Sequence, residues 1–212
     1  MSARAWAALV TRRRCLQAAL ALAAPVCRLQ PQWTPLFDGT SLGSWEQTSF
    51  GGEGPVAVRD GAIVLGTGDP LTGITWTGPS LPAAYSVALD AARLSGNDFF
   101  CGLTFPVQQT HCTLVLGGWG GTTAGLSTLD GRDASDNETT REIRFEDGRW
   151  YDVRIEVGHG RIRAWLDGDT LVDVATAGRR IGIRPEVDPS RPFGIASFRT
   201  RAGLRRIRMR PL

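Results

Sequence analysis

The chain has 212 residues, of which 42% are hydrophobic and 21% charged, a composition that indicates a folded domain with a buried core and argues against disorder. Its net charge of +3 originates at the N-terminus, because residues 1–28 contain five arginines and no acidic residue, which leaves 19 basic and 21 acidic residues in the rest of the chain. A body so close to neutrality has no general electrostatic attraction for nucleic acid or for an anionic membrane, so both classes of partner are excluded.

Residues 1–30 have the layout of an export signal. The arginine triplet at residues 12–14 precedes an apolar run over residues 18–26, which is shorter than the roughly 20 residues that span a bilayer. The pattern Thr-Arg-Arg-x-x-Leu beginning at Thr11 resembles the twin-arginine export motif. A buried N-terminal helix and a lipid anchor on Cys27 are the alternatives. We expect an exported bacterial protein, periplasmic or extracellular, whose membrane contact is limited to a cleaved signal.

Residues 31–212 are predicted to form one domain of short strands. The 26 glycines and 12 prolines of the chain favour many tight turns. Period-two alternation predicts strands over residues 62–65, 85–91, 99–105 and 112–116, the last two as a hairpin. Cys101 and Cys112 lie on this hairpin, where they either form a disulfide or remain two small buried side chains.

The clearest alternation spans residues 150–174. Val153, Ile155 and Val157 are expected to face one way, and hairpin turns are expected at residues 158–160 and at Asp167-Gly168. Further strands are predicted over residues 193–198 and 204–209. Because no long segment after Trp33 has a helical period, the pattern predicts an all-β sandwich of two antiparallel sheets.

Several phrases of the chain resemble the 3-keto-disaccharide hydrolase family when they are taken in order. They are residues 36–45 (LFDGTSLGSW), 58–63 (VRDGAI), 148–155 (GRWYDVRI), 161–168, 193–198 (FGIASF) and 204–210 (LRRIRMR). The resemblance implies a concanavalin-like jelly-roll sandwich, exported from bacteria, that acts on glycosides oxidised at sugar carbon 3. The family often carries an Asn-Ser-Gly phrase in a middle strand, whereas the matching residues 96–102 (GNDFFCG) contain no serine.

Such a reaction requires three chemical roles. A base removes the acidified hydrogen on carbon 2, an acid protonates the departing glycosidic oxygen, and a metal ion or an arginine stabilises the enolate oxygen. The densest polar region, residues 111–146, supplies the candidate catalytic residues: His111, Asp133, Asp136, Glu138, Arg141 and Glu142. His111 is a candidate base, the carboxylates are candidate acids or bases, and Arg141 is a candidate oxyanion partner.

The same acidic segment has an alternative function. Four carboxylates lie within residues 130–138, and such a density of hard oxygen ligands can hold Ca²⁺, although the spacing does not match an EF-hand loop. A divalent cation such as calcium is therefore a candidate cofactor, with no ligand set assigned. A solvated loop is the alternative.

Sugar-binding candidates come mainly from the tryptophans. Trp119 is flanked by glycines and can offer its ring to the apolar face of a sugar or can close the rim of the sandwich. Trp165, on the strand face of Arg161 and Arg163, and Glu46 are further substrate-binding candidates, whereas Trp45 and Trp150 are expected in the core.

The sequence thus predicts an exported hydrolase that cleaves the glycosidic bonds of 3-keto-glycosides or 3-keto-disaccharides, with a carbohydrate as its partner. A non-catalytic, lectin-like carbohydrate-binding module and a structural sandwich of the cell envelope are the alternatives. No nucleophile elbow, phosphate-binding loop, dinucleotide fingerprint or zinc spacing is present in the sequence.

Overall fold

The computed structural model describes residues 32–212, so the predicted export signal over residues 1–30 lies outside the described residues. The described part contains fifteen strands, a short 3₁₀ helix, Pro185–Ser190, and a single helical turn, α1 Gly118–Gly121. The strands are β1 Thr34–Pro35, β2 Trp45–Gln47, β3 Val56–Arg59, β4 Ala62–Leu65, β5 Leu71–Trp76, β6 Tyr85–Ser95, β7 Cys101–Val107, β8 Thr110–Gly117, β9 Thr123–Ser127, β10 Arg141–Glu142, β11 Tyr151–Gly158, β12 Arg161–Leu166, β13 Asp169–Ala175, β14 Gly194–Phe198 and β15 Arg201–Pro211. None of the helices in this part is long and apolar enough to cross a membrane.

The strands form two antiparallel sheets, as the sequence predicts. The back sheet has the order β13-β12-β11-β6-β15-β4-β3, with β1 pairing along the other end of β15. The front sheet has the order β10-β9-β8-β7-β14-β5-β2. In each order, three of the six neighbouring pairs join strands that are not consecutive in the chain, such as β11 with β6 and β7 with β14. Such long-range antiparallel pairing is the jelly-roll arrangement of a β-sandwich. The predicted fold class is confirmed.

The core lies between the sheets because each strand turns alternate side chains inward. On β11, Val153, Ile155 and Val157 are buried while Asp152 and Glu156 between them are partly exposed, as predicted. Burial of an aliphatic side chain of this size contributes about 1.5–3 kcal/mol relative to exposure. The largest core side chains are Trp45, Tyr85, Phe100, Phe105 and Phe193.

Three of the hairpins turn at Asp-Gly or His-Gly pairs, which include both turns expected within residues 150–174. The first residue has φ of +51° at Asp60, His159 and Asp167, and the following glycine is also left-handed. Two consecutive positive φ angles define the type I′ turn, whose twist matches that of the flanking strands.

The β7–β8 hairpin keeps its two cysteines apart. Cys101 pairs with Leu116, and Cys112 pairs with Phe105, so the thiols are offset by four residues, roughly 13 Å along the hairpin. A disulfide needs Cα atoms less than about 7 Å apart, so both thiols are free and buried. Burial raises the pKa of each thiol to about 12. Cys101 and Cys112 therefore remain two small buried side chains and do not form a disulfide.

The last strand departs from simple alternation. The pairing of β15 with β6 shifts between Arg205 and Arg208, and Arg206 has a φ of +52°, which marks a β-bulge. The bulge directs both Arg205 and Arg206 to the carboxylate of Asp90, which is 1% exposed, at 3.0 and 2.5 Å. The expectation that Trp150 lies in the core is wrong, because its ring lies outside the back sheet, with the Arg205 guanidinium 4.1 Å from its centre.

Candidate functional site

The outer face of the front sheet consists largely of small residues. Rows in register across the strands place glycine, alanine, serine and threonine side by side; among them are Gly73, Gly102, Thr104, Thr113, Gly125, Ser127, Gly194 and Ala196. Because these side chains are short, other segments can lie close to the sheet. The 3₁₀ helix does so, with Val187 buried against Leu71 and Ala196.

A pocket of about 220 Å³ opens beside this helix on the same face. It is bounded by the strand floor, by the segment before β7, by the turn after β8 and by the segment that leads into the 3₁₀ helix. The lining residues are Asp98, Phe99, Thr113, Val115, Trp119, Ser127, Arg184, Glu186, Val187 and Phe198. A concave, largely apolar site with a few convergent polar groups is the usual form of a small-molecule site.

Trp119 forms part of the rim of this pocket. It is 43% exposed, and within the described residues only Leu212 is another large hydrophobic residue of comparable exposure. Its φ is +50°, and Gly117 and Gly120 beside it are also left-handed. A bulky residue in this conformation is strained, and such strain concentrates at functional sites. The turn therefore holds an indole ring in solvent at the mouth of a pocket, where it can pack against the apolar face of a sugar.

A charged group forms one end of the pocket. The Arg184 guanidinium bridges two carboxylates, with Nε on Glu186 and Nη1 on Asp133. Asp133 in turn accepts a hydrogen bond of 3.2 Å from the Ser127 hydroxyl. The hydrogen bond to Glu186, followed by the nearby negative charges, raises the pKa of Arg184, so this side chain remains cationic.

Asp98 brings a further carboxylate to the pocket. Its Oδ1 accepts the Phe99 N–H at 2.7 Å, and its own N–H donates to the Thr200 hydroxyl at 3.1 Å. These two bonds orient a half-buried carboxylate in the segment that leads into β7. Asp98, Arg184 and Glu186 were not among the residues expected from the sequence. For Asp98 a signal existed, since it lies in the stretch that matches the family's middle-strand phrase.

Two of the expected site residues lie at the pocket. Trp119 lines it, and Asp133 contacts the lining residues Ser127 and Arg184. His111 shares the sheet face with Thr113 but is not part of the lining, and it lies near Arg191 and Asp188. Burial, followed by the positive charge of Arg191, lowers the pKa of His111.

Glu142 and Glu46 lie at opposite edges of the front sheet. Glu142, on β10, accepts hydrogen bonds from Thr122 at 2.6 Å and from Thr123 at 3.1 Å. Glu46 is an exposed residue on β2. Six strand spacings of about 4.8 Å separate β10 from β2, roughly 29 Å in all, so these two carboxylates cannot act on the same bond.

The remaining candidates make contacts away from the pocket lining. Glu138 pairs with Arg179, whose hydrogen bond lowers the pKa of that carboxyl group. Arg141 donates to the carbonyls of Glu138 and Thr140 at 3.2 and 2.8 Å, and Asp136 is exposed. Trp165 lies on the back sheet, where the Arg154 guanidinium stacks 3.9 Å from its ring centre, and the structure does not bring it to the pocket.

Comparison with known proteins decides the family. Residues 32–210 match the model of the 3-keto-alpha-glucoside-1,2-lyase-like domain. The chain belongs to this family. The resemblance seen in the sequence is confirmed, and membership gives the chain a carbohydrate-related function. No curated protein matches the chain.

Solved structures support the fold of this 3-keto-alpha-glucoside-1,2-lyase-like domain. A glycosyl hydrolase candidate from Parabacteroides distasonis is 15% identical, with a TM-score of 0.57 over 85% of this chain and 94% of that chain. A protein of unknown function with a galectin-like fold from Bacillus subtilis is 12% identical, with a TM-score of 0.55 over 85% and 94%. The carbohydrate-binding module CBM66 from Bacillus subtilis is 12% identical, with a TM-score of 0.52 over 79% and 95%. At these identities the likeness shows the sandwich fold alone.

The acidic segment of the domain is neutralised mainly by arginines. Asp130 and Glu138 pair with Arg179, and Asp133 pairs with Arg184. Within residues 32–212, no group of three or more His, Cys, Asp or Glu side chains is placed to hold a metal ion. Calcium binding stays a prediction from the sequence.

Proposed function

We propose that this protein is an exported enzyme that cleaves the glycosidic bond of 3-keto-glycosides, beginning with elimination across sugar carbons 1 and 2. The observation that carries the proposal is a pocket in which Arg184 and Glu186 lie with Asp98 and with the exposed ring of Trp119. Membership of the 3-keto-alpha-glucoside-1,2-lyase-like family supports the choice of substrate.

The carbonyl at carbon 3 makes the chemistry accessible to simple acid–base groups. A base takes the proton from carbon 2, and the electron pair is held as an enolate on the carbonyl oxygen. The pair then forms the double bond between carbons 1 and 2 while the bond from carbon 1 to the leaving oxygen breaks. An acid protonates that oxygen, which departs as an alcohol. Addition of water across the double bond gives the free 3-keto-sugar, so the overall reaction is hydrolysis.

We assign these roles to the polar residues that line the pocket. Glu186 and Asp98 are the base and the acid, because they are the carboxylates in the lining. Arg184 stabilises the enolate oxygen, since its guanidinium lies at the pocket and stays charged. Asp133 positions Arg184 through their ion pair, and Trp119 packs against the sugar ring.

The test is turnover of a defined panel. Purified mature protein is incubated with 3-keto-glucosides and 3-keto-disaccharides, with and without a chelator, and released alcohol and 3-keto-sugar are measured. We expect Glu186→Gln and Asp98→Asn each to lower kcat about 100-fold or more, the range that loss of a general acid or base produces. Loss of activity on adding the chelator would support a metal cofactor.

The residues expected from the sequence serve as the comparison set. His111→Asn, Glu138→Gln and Glu142→Gln leave the pocket lining unchanged and should retain most of the activity. If these variants are inactive while the Glu186 and Asp98 variants are not, the catalytic site lies elsewhere on the sheet face.

A carbohydrate-binding module is the second candidate. The exposure of Trp119 at a pocket rim favours it, because a binding module needs only the sandwich and an accessible aromatic ring. Saturable sugar binding that Trp119→Ala abolishes, combined with no turnover of any substrate in the panel, would establish this function instead.

Export is the remaining part of the proposal. Arg12 and Arg13 of the leader are the residues that a twin-arginine translocation system would recognise. Replacing both with lysine in the full chain should retain the protein inside a producing bacterium, and cell fractionation measures this. Unchanged export would refute the twin-arginine route.

A further inference from the structure

The pocket has a polar end and an apolar end because its lining follows the strand order of the front sheet. On the β9 side lies Ser127, joined through Asp133 to Arg184. On the β14 side lies Phe198, with Phe99 beside it. Strands β8 and β7 separate the two sides. A bound molecule therefore meets the Arg184 group on the β9 side and aromatic rings on the β14 side, where the carboxylate of Asp98 lies beside Phe99.

The apolar end is a preformed aromatic surface. The Phe99 and Phe198 rings have centroids 5.7 Å apart and planes inclined at 39°. Phe99 lies directly on Gly102, where an added Cβ would be 2.9 Å from its Cε2 atom, so the absence of a side chain at position 102 sets the ring position. Val187 closes this end from above, held against Leu71 and Ala196.

The polar groups of the pocket floor are already hydrogen bonded within the protein. The hydroxyls of Thr113 and Thr104 bond to each other at 2.9 Å, and the Ser127 hydroxyl donates to Asp133. Thr113 and Ser127 are 2% and 1% exposed. A sugar carries a hydroxyl on nearly every carbon, and burying each without a partner is costly. The phenylalanine and valine side chains at the apolar end provide no hydrogen-bond partner for such hydroxyls, so their surface is a poor place for a second sugar.

The size of the pocket matches a single ring. An apolar cavity of about 150 Å³ is enough to bind benzene. A pocket of about 220 Å³ therefore accepts one substituted aromatic ring, with the attached sugar reaching the charged end and the mouth at Trp119. Offset and tilted contacts with Phe99 and Phe198 would add specificity for an aromatic ring over an aliphatic one.

We infer that the apolar end binds an aromatic aglycone, so that the substrates are 3-keto-glycosides of phenols in preference to 3-keto-disaccharides. This inference rests on the proposed function for the reaction and on the pocket lining for the aglycone. It names the leaving group: a phenol, whose oxygen departs more readily than that of a sugar alcohol.

The test separates binding from turnover. Isothermal titration measures the binding of phenyl glucoside, methyl glucoside and a glucose disaccharide to the mature protein; none of these carries the 3-keto group. We expect the phenyl compound to bind about tenfold or more tightly than the other two. Turnover is then compared between phenyl 3-keto-glucoside and a 3-keto-disaccharide, with higher kcat/KM for the phenyl substrate.

Two variants locate the effect. Val187→Thr keeps the side-chain shape but places a hydroxyl at the apolar end, and Phe198→Leu removes an aromatic face; each should reduce the phenyl preference to about threefold or less. Val56→Thr makes the same change on β3 of the back sheet and should leave the preference intact. Because Val187→Thr and Phe198→Leu test the same surface independently, the test still works if one of them fails to fold.

The outcomes distinguish the two proposals. Equal binding of the phenyl and methyl compounds, together with efficient cleavage of 3-keto-disaccharides, would overturn the aglycone inference while the enzyme proposal stands. A phenyl preference that disappears in both variants, with no turnover of any 3-keto-glycoside, would support the aromatic site and overturn the enzyme proposal.

Discussion

A methyl group added at Gly102 tests how the floor of the pocket shapes the site. Gly102 has no positive φ, so alanine can adopt its backbone conformation. The new Cβ would lie 2.9 Å from Cε2 of Phe99 and 3.3 Å from the Ala196 carbonyl oxygen. Carbon atoms pack best at about 3.5–4.0 Å, so the Phe99 ring must move by roughly 0.6–1 Å toward the pocket.

The cost follows from the freedom of that ring. Overpacking typically costs about 1–3 kcal/mol, and because Phe99 is half-buried and borders open space, we expect about 1–2 kcal/mol for Gly102→Ala. For a domain of this size that lowers Tm by roughly 2–8 °C, measured by thermal unfolding. The intruding ring narrows the apolar end, so phenyl glucoside should bind about three- to tenfold more weakly, equivalent to about 0.7–1.4 kcal/mol.

The chain offers a matched control on the other sheet. At Gly203 an added Cβ would lie 2.8 Å from Cη2 of Trp150, a comparable clash with an aromatic ring far from the pocket. Gly203→Ala should lower the free energy of unfolding by a similar amount without changing phenyl glucoside binding. Equal loss of binding in both variants, or unchanged binding in Gly102→Ala despite a lower Tm, would refute the reasoning.

Three further predictions concern groups outside the pocket. Hydrogen bonds from backbone N–H groups lower the pKa of Asp38 to about 2, so its contribution to the stability of the fold is present above pH 4 and is lost as pH falls toward 2. Asp38→Asn should therefore flatten the acid side of a plot of Tm against pH, and an unchanged slope would contradict this. Asp90→Asn removes the carboxylate that pairs with Arg205 and Arg206, but both arginines are partly exposed to water. We therefore expect the free energy of unfolding, measured in urea, to fall by about 1–2 kcal/mol. No loss would show that the bulge is held by the backbone alone. Cys101 and Cys112 should be unreactive toward a thiol reagent in the folded domain and both titrate after unfolding, whereas a disulfide would leave none to titrate.

The parts of the fold that follow local rules could be predicted from the sequence. Strands β11 and β12 alternate strictly, and the turns that follow them contain His-Gly and Asp-Gly, so periodicity and turn chemistry give the same answer. Residues 36–41 are another case: Asp38 accepts the backbone N–H groups of Thr40 and Ser41, which explains why the opening phrase of the chain has an acidic residue before its glycine.

Features that depend on partners distant in sequence could not be predicted. Arg206 adopts a left-handed conformation because a bulge is needed to direct two arginines to Asp90, 116 residues earlier. Trp150 lies outside the back sheet because Gly203 leaves room for its ring, and Gly203 belongs to β15, far from Trp150 in sequence. Neither side chain carries a local signal for its position.

The candidate site differs from the region that charge density alone indicates. The four carboxylates of residues 130–138 are close in sequence, yet three of them pair with Arg179 or Arg184. The pocket instead takes Asp98 and Glu186 from two segments that have no periodic pattern. Strand alternation predicts which residues of the front sheet face outward, and their small size predicts that something lies over them. Loops decide which segment covers that face and which carboxylates it brings, so the carboxylates proposed as acid and base come together only once the chain is folded.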